Sequence, residues 1–186
     1  MTRRMTFLLL CTFPVLASAQ ARGSSDAQAK AALAPLMKLV GQWDGEARVS
    51  LMPGQSQVVR QHYDVTLGAG GTTLNLKGTG RTTTAAGKDS VVFQASATLF
   101  YDNSVSKLRV RAKLAQGDSV LAEVEQRPDT LIYGFPLQGA RIRFTIAYSN
   151  TDWHEVGHFI PNGGQPIPTE HCGSSTTPTI LSSSPR

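Results

Sequence analysis

Cysteine is nearly missing from this chain: of 186 residues, only Cys11 and Cys172 carry a thiol. Cys11 lies in an N-terminal apolar run that follows Arg3 and Arg4 and ends at Ala17-Ser18-Ala19, a small-residue cleavage pattern. This arrangement predicts a Sec-type signal peptide over residues 1–19, cut after Ala19, and hence a periplasmic or secreted protein. Leu10 is bulky where lipoprotein processing requires a small residue before the cysteine, which excludes lipidation. With Cys11 removed, Cys172 stands alone and no intramolecular disulfide can form. The domain must then be held by its core.

Long hydrophobic runs are scarce as well. Residues 7–16 are too few for a permanent anchor, and no second run approaches the roughly 20 residues a membrane helix needs, so no transmembrane segment is expected. Charge of one sign is also modest. Cleavage removes Arg3 and Arg4, leaving 16 basic against 13 acidic residues, a net +3. That balance argues against nucleic acid as a partner. The remaining 167 residues suffice for one domain with a real core.

Helical patterning is confined to the start of the mature chain. Residues 20–32, rich in Ala, Ser and Gln, read as a loose leader or frayed helix. Pro35 suits a first helical turn, Leu36, Met37, Leu39 and Val40 supply an apolar face, and Gly41 ends the element. Alone, so short a helix is marginal and needs a sheet or barrel mouth to pack on.

From Trp43 onward the period becomes two. Trp43, Ala47, Val49 and Leu51 share one face; Val59, Tyr63, Val65 and Leu67 share the next. Further strands carry Leu74 and Leu76, then Val91 to Tyr101, then the alternation Lys107-Leu108-Arg109-Val110-Arg111-Ala112-Lys113. Val120-Ala122-Val124, Leu131-Tyr133-Phe135, Ile142-Phe144-Ile146 and Trp153 to Ile160 complete the series. Turn signals at hairpin spacing predict an all-β antiparallel barrel of about eight to nine strands with a short N-terminal helix.

The segment Leu39-Val40-Gly41-Gln42-Trp43-Asp44-Gly45, with Lys77-Gly78-Thr79-Gly80-Arg81, Tyr133-Gly134-Phe135 and Trp153-His154-Glu155-Val156-Gly157, resembles a bacterial lipocalin-like, calycin-type barrel family of unknown function. The likeness covers residues 33–164. It implies a barrel with an N-terminal helix and carries no activity. One departure stands out. After Asn162-Gly163-Gly164 the family pattern calls for a closing apolar strand, but this chain continues Gln165-Pro166-Ile167-Pro168. The closing strand is therefore expected to be absent and residues 165–186 to form a disordered Ser/Thr/Pro-rich tail.

Trp43, Tyr63, Phe93, Phe144 and Trp153 fall on the inward faces and are the candidate ligand-binding residues. Trp43 is expected at the barrel base, beside Trp153. Small barrels either fill with such side chains or leave room for one ligand. The expected partner is a small apolar or amphipathic molecule.

His154-Glu155-Val156-Gly157-His158 matches H-E-x-x-H, the zinc-hydrolase signature, which works only on a helix. Here it falls on a strand, where residues four apart are separated by about 13 Å, too far to share one zinc. No metal site and no catalytic residue is assigned. His62, His154 and His158 are conceivable haem ligands, but no attachment motif supports them, and no cofactor is expected. The row Lys107, Arg109, Arg111, Lys113 offers an interaction face for an acidic partner; a solvated strand face that discourages edge pairing is the simpler reading. Cys172 reads as an exposed tail thiol.

Overall fold

The computed structural model describes residues 17–52, 55–84, 87–113 and 117–175. Residues 1–16 of the expected signal peptide and residues 176–186 of the expected tail lie outside the described residues. Helix α1 spans Ala17–Leu33, so the segment read as a loose leader or frayed helix is helical, as its alanine content favours. It packs on the third and fourth strands and buries Ala29 and Leu33. The chain then tightens into a 3-10 turn, Ala34–Leu39, with Pro35 in its first turn. The short helix expected over residues 35–40 is this turn, and it buries Leu36 and Leu39.

Ten strands follow: β1 (Gly41–Met52), β2 (Gln55–Leu67), β3 (Thr73–Thr83), β4 (Asp89–Asp102), β5 (Lys107–Lys113), β6 (Ser119–Arg127), β7 (Thr130–Leu137), β8 (Ala140–Tyr148), β9 (Asp152–Pro161) and β10 (Ile167–Ser175). Each pairs antiparallel with its neighbour in sequence, and β10 pairs with β1, so the sheet closes into a barrel.

The tenth strand corrects the expectation of a missing closing strand and moves the end of the barrel from residue 164 to Ser175. β10 lies between β9 and β1, with Cys172 aligned to both Glu155 and Ala47. Cys172 thus belongs to the barrel wall and not to a tail. Sequence pattern hides this strand because its stability comes from backbone pairing on both sides. Its proline, Pro168, sits near the strand start, where a missing N–H is tolerated, next to a bulge before Glu170.

Strand alternation sorts the side chains. Trp43, Val65, Leu74, Leu99, Leu108, Val124, Leu131, Ile146 and Trp153 face inward and join Leu33, Leu36 and Leu39 in one core. Gly41 has φ 144°, a conformation that disfavours any side chain, and this turns the chain from the 3-10 segment into β1. Trp43 then lies beneath that segment, almost wholly buried, and its indole N–H donates to the Leu39 carbonyl at 2.8 Å. This carbonyl ends a helical turn and has no partner within it. Lys38 adds an ion pair to Asp129 in the β6–β7 turn at 2.6 Å. One end of the barrel is plugged.

Turns at that end are stapled by aspartates. The Asp102 carboxylate accepts from the Ser104 hydroxyl and backbone N–H and from Arg109, and these bonds, the Ser104 hydroxyl foremost, hold its pKa below the usual value. Asp152 is held down in the same direction by the hydroxyls of Thr151 and Ser149.

Two outcomes follow. Trp43→Phe keeps the ring and removes the donor, leaving the Leu39 carbonyl buried without it; urea unfolding should show a loss of about 1–3 kcal/mol, and an unchanged midpoint would refute the clamp. Depressed folded-state pKa values mean that the two aspartates stabilise fully above about pH 4 and lose that contribution as pH falls through the folded values. Stability should therefore drop as pH falls below about 4, and Asp102→Asn should make that drop shallower; an identical acid profile would refute it.

Candidate functional site

Above the plug the barrel is not filled. A cavity of about 500 Å³ opens at the far end, where Lys113 and Leu137 stand exposed on the rim. Its volume lies within the range of small-molecule sites. Four of the five residues expected to face a ligand line it: Tyr63, Phe93, Phe144 and Trp153. Trp43 does not. It lies one layer below, edge-on to Trp153 with ring centroids 5.8 Å apart, as a floor support.

The walls divide by size. On one side Tyr63 of β2 stacks on Trp153 of β9 at 5.3 Å and 15°. On the β7–β8 side Tyr133 packs against Phe135 at 5.8 Å and Phe144 at 5.3 Å. Between them β3, β4 and β5 present Gly78, Ala95, Ala97 and Ala112 beside Leu76, Phe93 and Val110, and the four small residues leave space open.

Two glycines of the Lys77-Gly78-Thr79-Gly80-Arg81 segment set the aromatic positions. Gly78 is aligned with Tyr63 across β2–β3, and Gly80 with Phe93 across β3–β4. A Cβ on Gly78 would come within 2.4 Å of the Tyr63 ring, and one on Gly80 within 2.1 Å of the Phe93 ring. The rings therefore lie across bare backbone on the neighbouring strand, a contact that protects glycine within a sheet.

Three lining residues escaped the sequence reading. Tyr133 and Phe135 were legible as inward positions of one strand, but nothing distinguished them from ordinary core. Glu155 was noticed only as part of the H-E-x-x-H motif. It is inward-facing and buried, and one carboxylate oxygen accepts from the Trp153 indole N–H at 3.3 Å. The same alternation puts His154 and His158 on the opposite face of β9, as expected for a strand, and not one helical turn apart as the zinc motif requires. His62 also faces outward, 2.7 Å from Asp44 across β1–β2. None of the three proposed haem-ligand histidines is directed into the cavity, so the haem reading loses its geometric basis.

Three of the four residues of the basic row on β5 are engaged by their neighbours. Lys107 pairs with Glu123 at 2.7 Å, Arg109 with Asp102 at 3.0 Å, and Arg111 lies over the Phe100 ring at 5.4 Å. These are cross-strand contacts of an outer sheet face, which weakens the case for an acidic partner there.

A plugged antiparallel barrel with an open apolar cup defines the lipocalin-like class of fold. No protein-family model matches the chain, and no curated protein matches it in sequence. Among solved structures it is similar to the S-type phycobiliprotein lyase CPES from Guillardia theta, with a TM-score of 0.57 over 83% of this chain and 98% of that one, at 10% sequence identity. At that identity the likeness speaks for the fold alone. No helix among the described residues is long and apolar enough to cross a membrane.

Gly78→Ala tests the glycine–ring contact. The added methyl must push Tyr63 off Trp153, so the near-ultraviolet circular dichroism should change and stability should fall by about 1–3 kcal/mol. A native spectrum at native stability would show that the ring position does not depend on this glycine.

Proposed function

We propose that this protein binds a small apolar or amphipathic molecule in the barrel cup, and acts as a carrier or receptor outside the cytoplasm and not as an enzyme. One observation carries the reading: the cup is lined by aromatic and aliphatic side chains yet left empty of them, because glycine and alanine occupy the facing positions. Leaving apolar surface unfilled forgoes packing energy, which a bound molecule would restore. The signal-like N-terminus supports a periplasmic or secreted location. The neighbour's fold is compatible with this use of a barrel.

Entry at the rim suits such a molecule. Leu137 and Ile167 are exposed there, together with Val91 and Val92 at the start of β4. Removing apolar surface from water contributes about 25 cal/mol per Å², so an exposed apolar lip favours capture of an apolar solute.

A neutral fluorescent probe, N-phenyl-1-naphthylamine, should bind the purified protein with one-to-one stoichiometry and blue-shifted emission. Ala112→Trp places an indole in the cup and should weaken that binding by about tenfold or more, with folding checked by circular dichroism. Binding that survives both Ala112→Trp and Ala97→Trp would place the probe elsewhere and defeat the cavity reading.

A further inference from the structure

The barrel wall is not paired along its whole height. Pairing of β5 with β6 reaches the mouth at Lys113–Ser119, and pairing of β7 with β8 reaches it at Leu137–Ala140. Between β6 and β7, by contrast, the register runs from Arg127–Thr130 only to Val124–Tyr133. Among the described residues, Ser119–Glu123 therefore pair with β5 alone and Gly134–Leu137 with β8 alone. Three strand steps separate Gly134 from Leu137, so the wall is notched from the mouth to a depth of roughly 10 Å. Pro136 stands in this stretch, and a proline inside a strand belongs on an unpaired edge.

Two cavities meet at the notch. The cup lies on its inner side, and a groove of about 420 Å³ lies on its outer side. Tyr133, Phe135, Pro136 and Ile142 line both. The flanks of the groove carry opposite charge, with Glu123 and Glu125 on β6 and Arg141 and Arg143 on β8. They are not equivalent. Glu123 is neutralised by Lys107 at 2.7 Å and Glu125 by Arg127 at 2.6 Å. Arg141 and Arg143 are exposed and have no ion-pair partner among the described residues. Alternation along β8 sets both on the outer face, at the positions aligned with Pro136 and Gly134. Guanidinium groups match the planar geometry of an acidic head group. From this juxtaposition we infer that the cup takes an amphipathic anion: an apolar chain or ring that ends in an acidic head group. The apolar part lies in the cup, the molecule crosses the wall at the notch, and the head group meets Arg141 and Arg143 outside. Holding the charge at the surface avoids the cost of burying it. The inference rests on the cavity reading above and adds the class of the ligand and its orientation.

Calorimetry at low salt with three ten-carbon probes tests it, each below its micelle-forming concentration. Decanoate, decanol and decylamine share a chain and differ in the head group. Decanoate should bind about fivefold or more tightly than decanol, the scale of exposed charge pairs, and decylamine should bind most weakly. Added salt should narrow the difference. In a protein carrying both Arg141→Gln and Arg143→Gln the advantage of decanoate over decanol should vanish, with folding checked by circular dichroism. Ala112→Trp should weaken decanoate as well as decanol, because the chain occupies the cup. The inference is overturned by decanoate binding no tighter than decanol, by an advantage that survives the double substitution, or by decanoate binding that is indifferent to Ala112→Trp. An advantage lost in Lys113→Gln instead would move the head group to the rim and overturn it equally. In each of these cases decanol binding that is lost in Ala112→Trp would still uphold the cavity. Failure of all three probes to bind would overturn both readings together. The comparison on the native protein decides the charge preference even if the double variant fails to fold.

Discussion

The bond from the Trp43 indole to the Leu39 carbonyl organises the molecule. It joins the 3-10 segment to the first strand at the point where both are buried, and so converts a marginal helical turn into a plug. Leu33, Leu36 and Leu39 then have a fixed surface to bury against. With that end closed, Trp153 finds an edge-on partner in Trp43 and a stacking partner in Tyr63. The floor of the cup is therefore a product of the plug. A barrel open at both ends would offer a ligand no enclosed apolar surface.

The cup itself arises from an uneven distribution of volume. A ten-strand barrel encloses more space than an eight-strand one, and this chain does not spend its large residues evenly around it. Most of the lining aromatics gather on β2, β7, β8 and β9, with Phe93 on β4, while Gly78, Ala95, Ala97 and Ala112 of β3, β4 and β5 leave room. Gly78 and Gly80 have two effects at once. They leave room, and they receive the Tyr63 and Phe93 rings across the strand, which fixes where that room is. Glu155 enters this apolar space as the one acid among the described residues that line it, held by the Trp153 indole N–H.

The outer face follows different rules. Its charged residues satisfy one another across strands, as in Lys107–Glu123, Arg109–Asp102 and Arg60–Asp89. Exposed pairs of this sort contribute little to stability, about 0–1 kcal/mol each. They do keep the sheet surface soluble and occupied. In the interior, by contrast, burial makes each polar group consequential.

Much of this was legible in the residues. Alternation from Trp43 to Ile160 determined the inward and outward faces of nine strands, because a side-chain period of two leaves little choice once one face is buried. Four of the five chosen aromatics line one cavity, and strand geometry sets His154 and His158 on the other face of β9. What the residues by themselves did not determine was closure. β10 carries a proline, a glycine and two serines and has no apolar rhythm; it exists because β1 and β9 present backbone edges that only tertiary proximity brings together. Nor did pattern alone separate a filled barrel from an empty one. Trp43 is expected at the barrel base beside Trp153, yet it also counts among the expected ligand-facing residues, because its depth relative to the cavity depends on register between strands distant in sequence. The sequence decided which faces look inward; the tertiary structure decided where the interior is left open.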